Sequence, residues 1–146
     1  MEQYIQEVIV TYRPVDARSE IIREAETAAE ILRKLLLENS REHFYALYLD
    51  TKNRVINYAL IGVGALNKCQ VSCTEIIRRA LMCGSVSIIV GHNHPSGDLE
   101  PSAADEQVTK QLVAAARTVE LKLLDHIIFD GEEHLSLAGV RSHLFT

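Results

Sequence analysis

The chain has 146 residues, 47% of them hydrophobic and none of them tryptophan, the size of one globular domain that buries roughly two-thirds of its unfolded surface around an aliphatic core. Its 20 acidic residues against 15 Lys plus Arg give a net charge of −5, and the densest basic cluster is Arg78-Arg79, so tight nonspecific binding to a phosphate backbone is disfavoured. No apolar run approaches the ~20 residues that cross a bilayer, and MEQYIQEVIVTYRPVDARSE has neither the basic nor the apolar region of a secretory signal, so a cytoplasmic protein without membrane contact is expected.

In chain order, Ile5, Val8 and Val10 form a β-leaning stretch that stops at Pro14. Ile21, Ala25, Ala28, Ile31, Leu32, Leu35 and Leu36 then recur at helical spacing, which predicts a helix from about Ala17 to Leu37. Two strands, His43 to Asp50 and Arg54 to Ile61, are expected to form a hairpin about the polar turn Thr51-Lys52-Asn53. A second helix is predicted from Cys73 to Met82, with Ile76, Ile77, Ala80 and Leu81 as its apolar stripe and Gly84 as its stop. Ser85 to Val90 is rich in β-branched residues and too short for a helix, so it reads as a buried strand leading to Gly91 and His92. A third helix is expected from Ser102 to about Arg117, followed by a strand from Leu121 to Phe129, a turn at Asp130-Gly131 and a short return from His134 to Leu137.

Interleaved strands and helices, with no low-complexity linker or internal repeat, point to a single layered α/β domain. The division expected along the chain is an N-terminal strand and helix extension over 1–40 and the main domain over 41–146. Cys69, Cys73 and Cys83 are odd in number in a chain with no export signal and are read as reduced. Cys69-x-x-x-Cys73 lacks the partner pair of a zinc site, and helix burial accounts for Cys73 and Cys83.

The chemistry concentrates in HNHPSGDLEPSAAD, from His92 to Asp105. Alternate residues of an extended segment point to one side, so His92 and His94 can face one point while Asn93 turns away. Pro95 and Gly97 let the backbone leave the strand sharply, and Pro101 aims the chain into a helix whose first turn carries Asp105. Two nitrogens and one oxygen suit a zinc ion with its fourth position open, the arrangement of a catalytic site. Each residue also has a plainer reading. Ser102 with Asp105 is the spacing of a capping box, and an isolated H-x-H pair is commonly polar decoration at a strand end.

His92-x-His94-Pro95, the spacer to Pro101 and Ser102-x-x-Asp105 resemble the signature of the JAMM (MPN+) zinc metalloproteases, and HNHPSGD is similar to the RadC branch of that family. The resemblance runs from about Glu42 to Ser136, through LYLDTKNRVI and LLDHIIFDGEEHLSL. It implies a three-layer αβα domain with a mixed sheet, of the type shared with the cytidine deaminases, whose own H-x-E and P-C-x-x-C segments are absent here. It further implies zinc as cofactor, His92, His94 and Asp105 as ligands, Glu42 as the residue that holds the attacking water and carries its proton, and Ser102 as a donor to the oxyanion. Glu42 otherwise reads as a solvent-facing acid at a strand start.

Asn93 departs from the Ser or Thr usual at this position in eukaryotic-type members and places the chain nearer RadC. His126, in LLDHIIF, is a candidate neighbour of the site or substrate, or else a strand histidine paired to Asp125 or to backbone. The expected function is zinc-dependent hydrolysis of a peptide or isopeptide-like amide. The alternative is a RadC-type DNA-repair or mobile-element accessory protein with a DNA-linked or non-catalytic role, although the ~40 residues before Glu42 are too few for the helix-hairpin-helix region of longer RadC proteins.

Overall fold

In the computed structural model, residues 1–64 and 71–146 are described, and Cys69 lies outside them. The elements run α1 (Ala25–Leu35), β1 (His43–Leu49), β2 (Val55–Val63), α2 (Cys73–Cys83), β3 (Ser87–Asn93), α3 (Ala103–Thr118), β4 (Lys122–Phe129), β5 (His134–Ser136) and α4 (Leu137–Val140), with a 3₁₀ turn at Ser142–Phe145. The five strands form one mixed sheet in the order β2-β1-β3-β4-β5. Only β3 and β4 are parallel, and α3 is the crossover that parallel neighbours require.

The sequence SIIVGHN explains the central place of β3: it is buried along its whole length, as expected of a strand covered on both faces. On one face, Tyr45, Leu47 and Leu49 of β1, Ile89 of β3 and Ile127 and Phe129 of β4 pack against Ala28, Ala29, Ile31 and Leu32 of α1. On the other, Phe44, Ala46, Tyr48, Ile88 and Val90 pack against Ile76 and Ala80 of α2 and Leu112, Val113 and Ala116 of α3. The result is the expected αβα layering with a mixed sheet. Gly91 allows α1 its close approach, since a Cβ there would fall 2.4 Å from Leu32 Cδ1.

Local chemistry sets the element ends. The β1–β2 turn closes with Asn53 at φ +59° and with Asp50 Oδ1 accepting from the N–H groups of Lys52 and Arg54. Ser72 caps α2, and Gly84 ends it in the left-handed region.

Three expectations need correction. Residues Ile5 to Val10 form no strand; β propensity stabilises a strand only when it has a ladder partner, and Pro14 removes a donor from the stretch. The first helix begins at Ala25 rather than Ala17, because Glu20–Ile22 instead pair with Asn53–Val55 at the start of β2. The third strand runs to Asn93 rather than stopping at Val90, so His92 lies within the sheet. No helix among the described residues is long and apolar enough to cross a membrane.

Candidate metal centre

His92 sits near the C-terminal end of β3, His94 just beyond it, and Asp105 in the first turn of α3. These three each offer one ligand atom, and the atoms lie within 4.8 Å of one another. His92 Nε2 is 2.9 Å from His94 Nε2, 3.3 Å separates it from Asp105 Oδ1, and His94 Nε2 is 3.6 Å from Asp105 Oδ2. Asp105 also closes the capping box: its Oδ2 accepts from Ser102 N–H at 2.8 Å, and its own N–H donates to Ser102 Oγ at 3.1 Å. The plain reading and the metal reading of Asp105 therefore both describe the same carboxylate. One contact with Ser102 holds it while Oδ1 faces the imidazoles.

The hydrogen-bond partners behind the histidines select which nitrogen of each neutral ring carries the proton. Thr109 Oγ1 donates its one proton to the Asp105 carbonyl at 2.7 Å, so at its 2.7 Å contact with His126 Nδ1 the ring must donate and the hydroxyl accept. His126 is wholly buried, and burial first, then repulsion from His92, holds its pKa well below the usual 6.5. It is thus neutral with Nε2 bare, and accepts from His92 Nδ1–H at 2.8 Å. On the other ligand, His94 Nδ1–H donates to the Asp98 carbonyl at 2.6 Å. In the neutral form of each ring, the form that binds a metal, this puts the bare nitrogen at Nε2, facing the other ring and a carboxylate.

Two opposed lone pairs at 2.9 Å repel unless a cation or a proton lies between them. The donor set fits a divalent metal, with each histidine's Nδ1–H donating to a neighbour as metal-bound histidines do. In the metal-free protein, burial pushes the Asp105 carboxyl up, but the hydrogen bond and charge of His92 and the Ser102 N–H outweigh it and hold the carboxyl at about 2. An anionic Asp105 beside imidazole is the state a cation selects. Phe44 stacks on His92 with ring centroids 5.8 Å apart and meets His126 edge-on, closing the inner side, so access is from the side of the less buried His94.

Glu42 immediately precedes β1, and its carbonyl accepts from Gly64 N–H. Phe44, two residues further on, pairs with His92 across the β1–β3 ladder, so Glu42 stands at the end of the strand that flanks the ligand strand. Ser102 Oγ accepts from Asp105 N–H, which leaves its O–H hydrogen available to a further acceptor.

His126 meets His92 and Thr109 with its ring, while Asp125 takes only its backbone N–H. Sequence reasoning missed Thr109. The inward stripe of α3, Asp105, Thr109, Leu112, Val113 and Ala116, is the signal that places it one turn below Asp105. A cleft lined by Tyr12, Val15, Ile31, Leu35, Tyr58 and Leu60 shares no lining residue with the three ligands and lies on the α1 side.

An αβα domain with a mixed sheet and a histidine-histidine-aspartate cluster at the end of its central strand is the architecture of a JAB/MPN domain. The family model described as "RadC-like JAB domain" matches residues 22–142, and the chain belongs to that family. It is similar to a UPF0758 protein of Geobacillus sp. (strain WCH70), 41% identical over 80% of this chain and 52% of the relative. A UPF0758 protein of Coprothermobacter proteolyticus is 42% identical over 77% of this chain and 48% of its own length. Another, from Methanococcoides burtonii, is 41% identical over 80% of this chain and 51% of its own. The chain spans about half the length of these relatives.

Proposed function

We propose that the chain is a zinc-dependent metallohydrolase that cleaves a peptide or isopeptide-type amide in the cytoplasm. The observation that carries this reading is the convergence of two imidazole nitrogens and one carboxylate at the end of β3. His92, His94 and Asp105 would hold the ion, two nitrogens and one oxygen that leave a fourth tetrahedral position open. Zinc bound there would supply Lewis acidity, lowering the pKa of water and polarising the scissile carbonyl.

The remaining work falls to the chain's own groups. Glu42 is the proposed general base: its carboxylate takes a proton from the attacking water and gives it to the departing amine nitrogen. Ser102, anchored as the cap of α3, donates its free hydroxyl hydrogen to the oxygen that gains charge as the carbonyl carbon becomes tetrahedral. Thr109 and His126 keep the His92 Nε2 lone pair directed at the site.

The test compares zinc-loaded wild type and Glu42→Gln on a library of peptide and lysine-isopeptide amides. The variant is expected to retain its zinc and lose hydrolysis; full activity in Glu42→Gln eliminates the mechanism. A zinc-loaded wild type inert on every amide, yet binding duplex DNA in a salt-sensitive manner, supports the DNA-linked accessory role instead.

A further inference from the structure

Asn93, between the two candidate ligands, is wholly buried, and its side-chain amide is fully committed. Its Oδ1 accepts from His43 N–H at 2.6 Å. Its Nδ2 donates to Asn39 Oδ1 at 2.8 Å and to the Arg41 carbonyl at 2.9 Å. All three partners lie in the stretch that leads from α1 into β1, and two of them, Arg41 and His43, are the immediate neighbours of Glu42. The stretch is cinched further where His43 Nδ1–H donates to the same Arg41 carbonyl at 2.8 Å and His43 Nε2 meets Glu38 Oε1 at 3.4 Å.

The β1–β3 ladder begins at Phe44↔His92, two residues inside Glu42. Pairing with the ligand strand therefore fixes Phe44 but stops short of the proposed base, whose backbone is otherwise held, among the described residues, only from the β2 side, by Gly64 N–H. What spans that gap is one side chain rooted between His92 and His94, gripping the backbone on both sides of Glu42. A catalytic group must be held to about 0.5 Å of its working position by locked neighbours. A serine or threonine at 93 has one hydroxyl hydrogen and cannot serve both acceptors that the Asn93 amide serves.

We propose that Asn93 is the positioning residue that sets Glu42 in register with the metal ligands, tying the proposed base to the H-x-H strand through the backbone of residues 41 and 43. The inference rests on the metallohydrolase reading, in which Glu42 is the base. It turns the central residue of HNH from a spacer into a part of the site that faces away from the metal.

The test uses the full chain loaded with Co²⁺, whose paramagnetism displaces the NMR signals of nearby nuclei according to their position relative to the ion. Wild type is compared with Asn93→Ala, Asn93→Ser and the exposed partner variant Asn39→Ala, which keeps the experiment decisive if Asn93→Ala does not fold. In the Asn93 variants the pseudocontact shifts of the Arg41, Glu42 and His43 amides are expected to collapse, and in Asn39→Ala to fall partially. Those of Ser102 to Asp105 should persist, and metal affinity should fall by less than the ~10- to 100-fold that loss of a ligand's own hydrogen-bond partner costs.

A merely structural Asn93 would lower stability without moving residues 41–43 relative to the ion. Unchanged shifts at 41–43 in the folded, metal-loaded variants overturn the inference alone. Failure of the wild type to bind Co²⁺ or Zn²⁺ overturns the metallohydrolase reading, and the positioning role with it.

Discussion

Replacing Thr109 with valine should weaken metal binding from a position that touches no metal. Valine keeps the branched shape but removes the hydroxyl that gives its proton to the Asp105 carbonyl and accepts the His126 Nδ1–H. His126 then has two choices. It can keep its proton on Nδ1, leaving a buried donor unsatisfied at a cost of about 1–3 kcal/mol. Or it can move the proton to Nε2, where it meets the His92 Nδ1–H at the 2.8 Å contact and drives the His92 proton onto the nitrogen that should bind the ion. Either route opposes the binding form of His92. The expected loss is ~10- to 100-fold in zinc affinity, about 1.4–2.7 kcal/mol, measured by competition with a chromophoric chelator. Thr109→Ser keeps the hydroxyl and should restore wild-type affinity. If Thr109→Val binds zinc as tightly as wild type, the proton assignments along the chain from Asp105 to His92 are wrong.

Two further perturbations follow from the packing and the charge states. Gly91→Ala puts a methyl 2.4 Å from Leu32 Cδ1 and 3.2 Å from the Ile127 carbonyl and should destabilise the fold by about 1–3 kcal/mol through overpacking; an unchanged thermal midpoint would show that α1 adjusts freely. In the metal-free protein, burial and then the charge of His92 depress the His126 pKa, so below ~6.5 the unfolded chain binds a proton that the folded one does not. Stability should therefore fall as pH drops from 7 to 5, by at most ~1.4 kcal/mol per pH unit for this group. Asp105, whose folded value is about 2, contributes stability that is present above its unfolded value of ~3.9 and lost as pH falls through the folded one. Urea unfolding in the presence of chelator checks both, and a flat profile between pH 7 and 5 contradicts the neutral, buried His126.

Much of the site was readable because its signals are local. The alternation of His92 and His94, the turn residues after them and the Ser102/Asp105 capping box each act within a few residues, and the structure brings these elements together. His126 was a candidate neighbour of the site through the family resemblance, but the face its ring occupies was not readable from alternation, because it depends on a register irregularity. Ile88 pairs with Leu123 but Ile89 with Asp125, so β4 slips by one residue and puts both Leu123 and His126 on the α2/α3 face. Simple alternation from Leu123 selects Asp125 instead. The start of α1 was hidden for a related reason: Ile21 fits a helical stripe as well as it fits the bridge to Arg54, and only the partner strand decides. The clamp from Asn93 to residues 39–43 spans 50 positions or more, beyond the reach of any local pattern.

The central claim is that His92, His94 and Asp105 together hold zinc. Elemental analysis of purified wild type and His92→Ala, each exposed to zinc and then desalted, tests it most directly. One zinc per chain in the wild type and none in the variant is the predicted result. A wild type that retains no zinc, or a His92→Ala protein that retains a full complement, would contradict it.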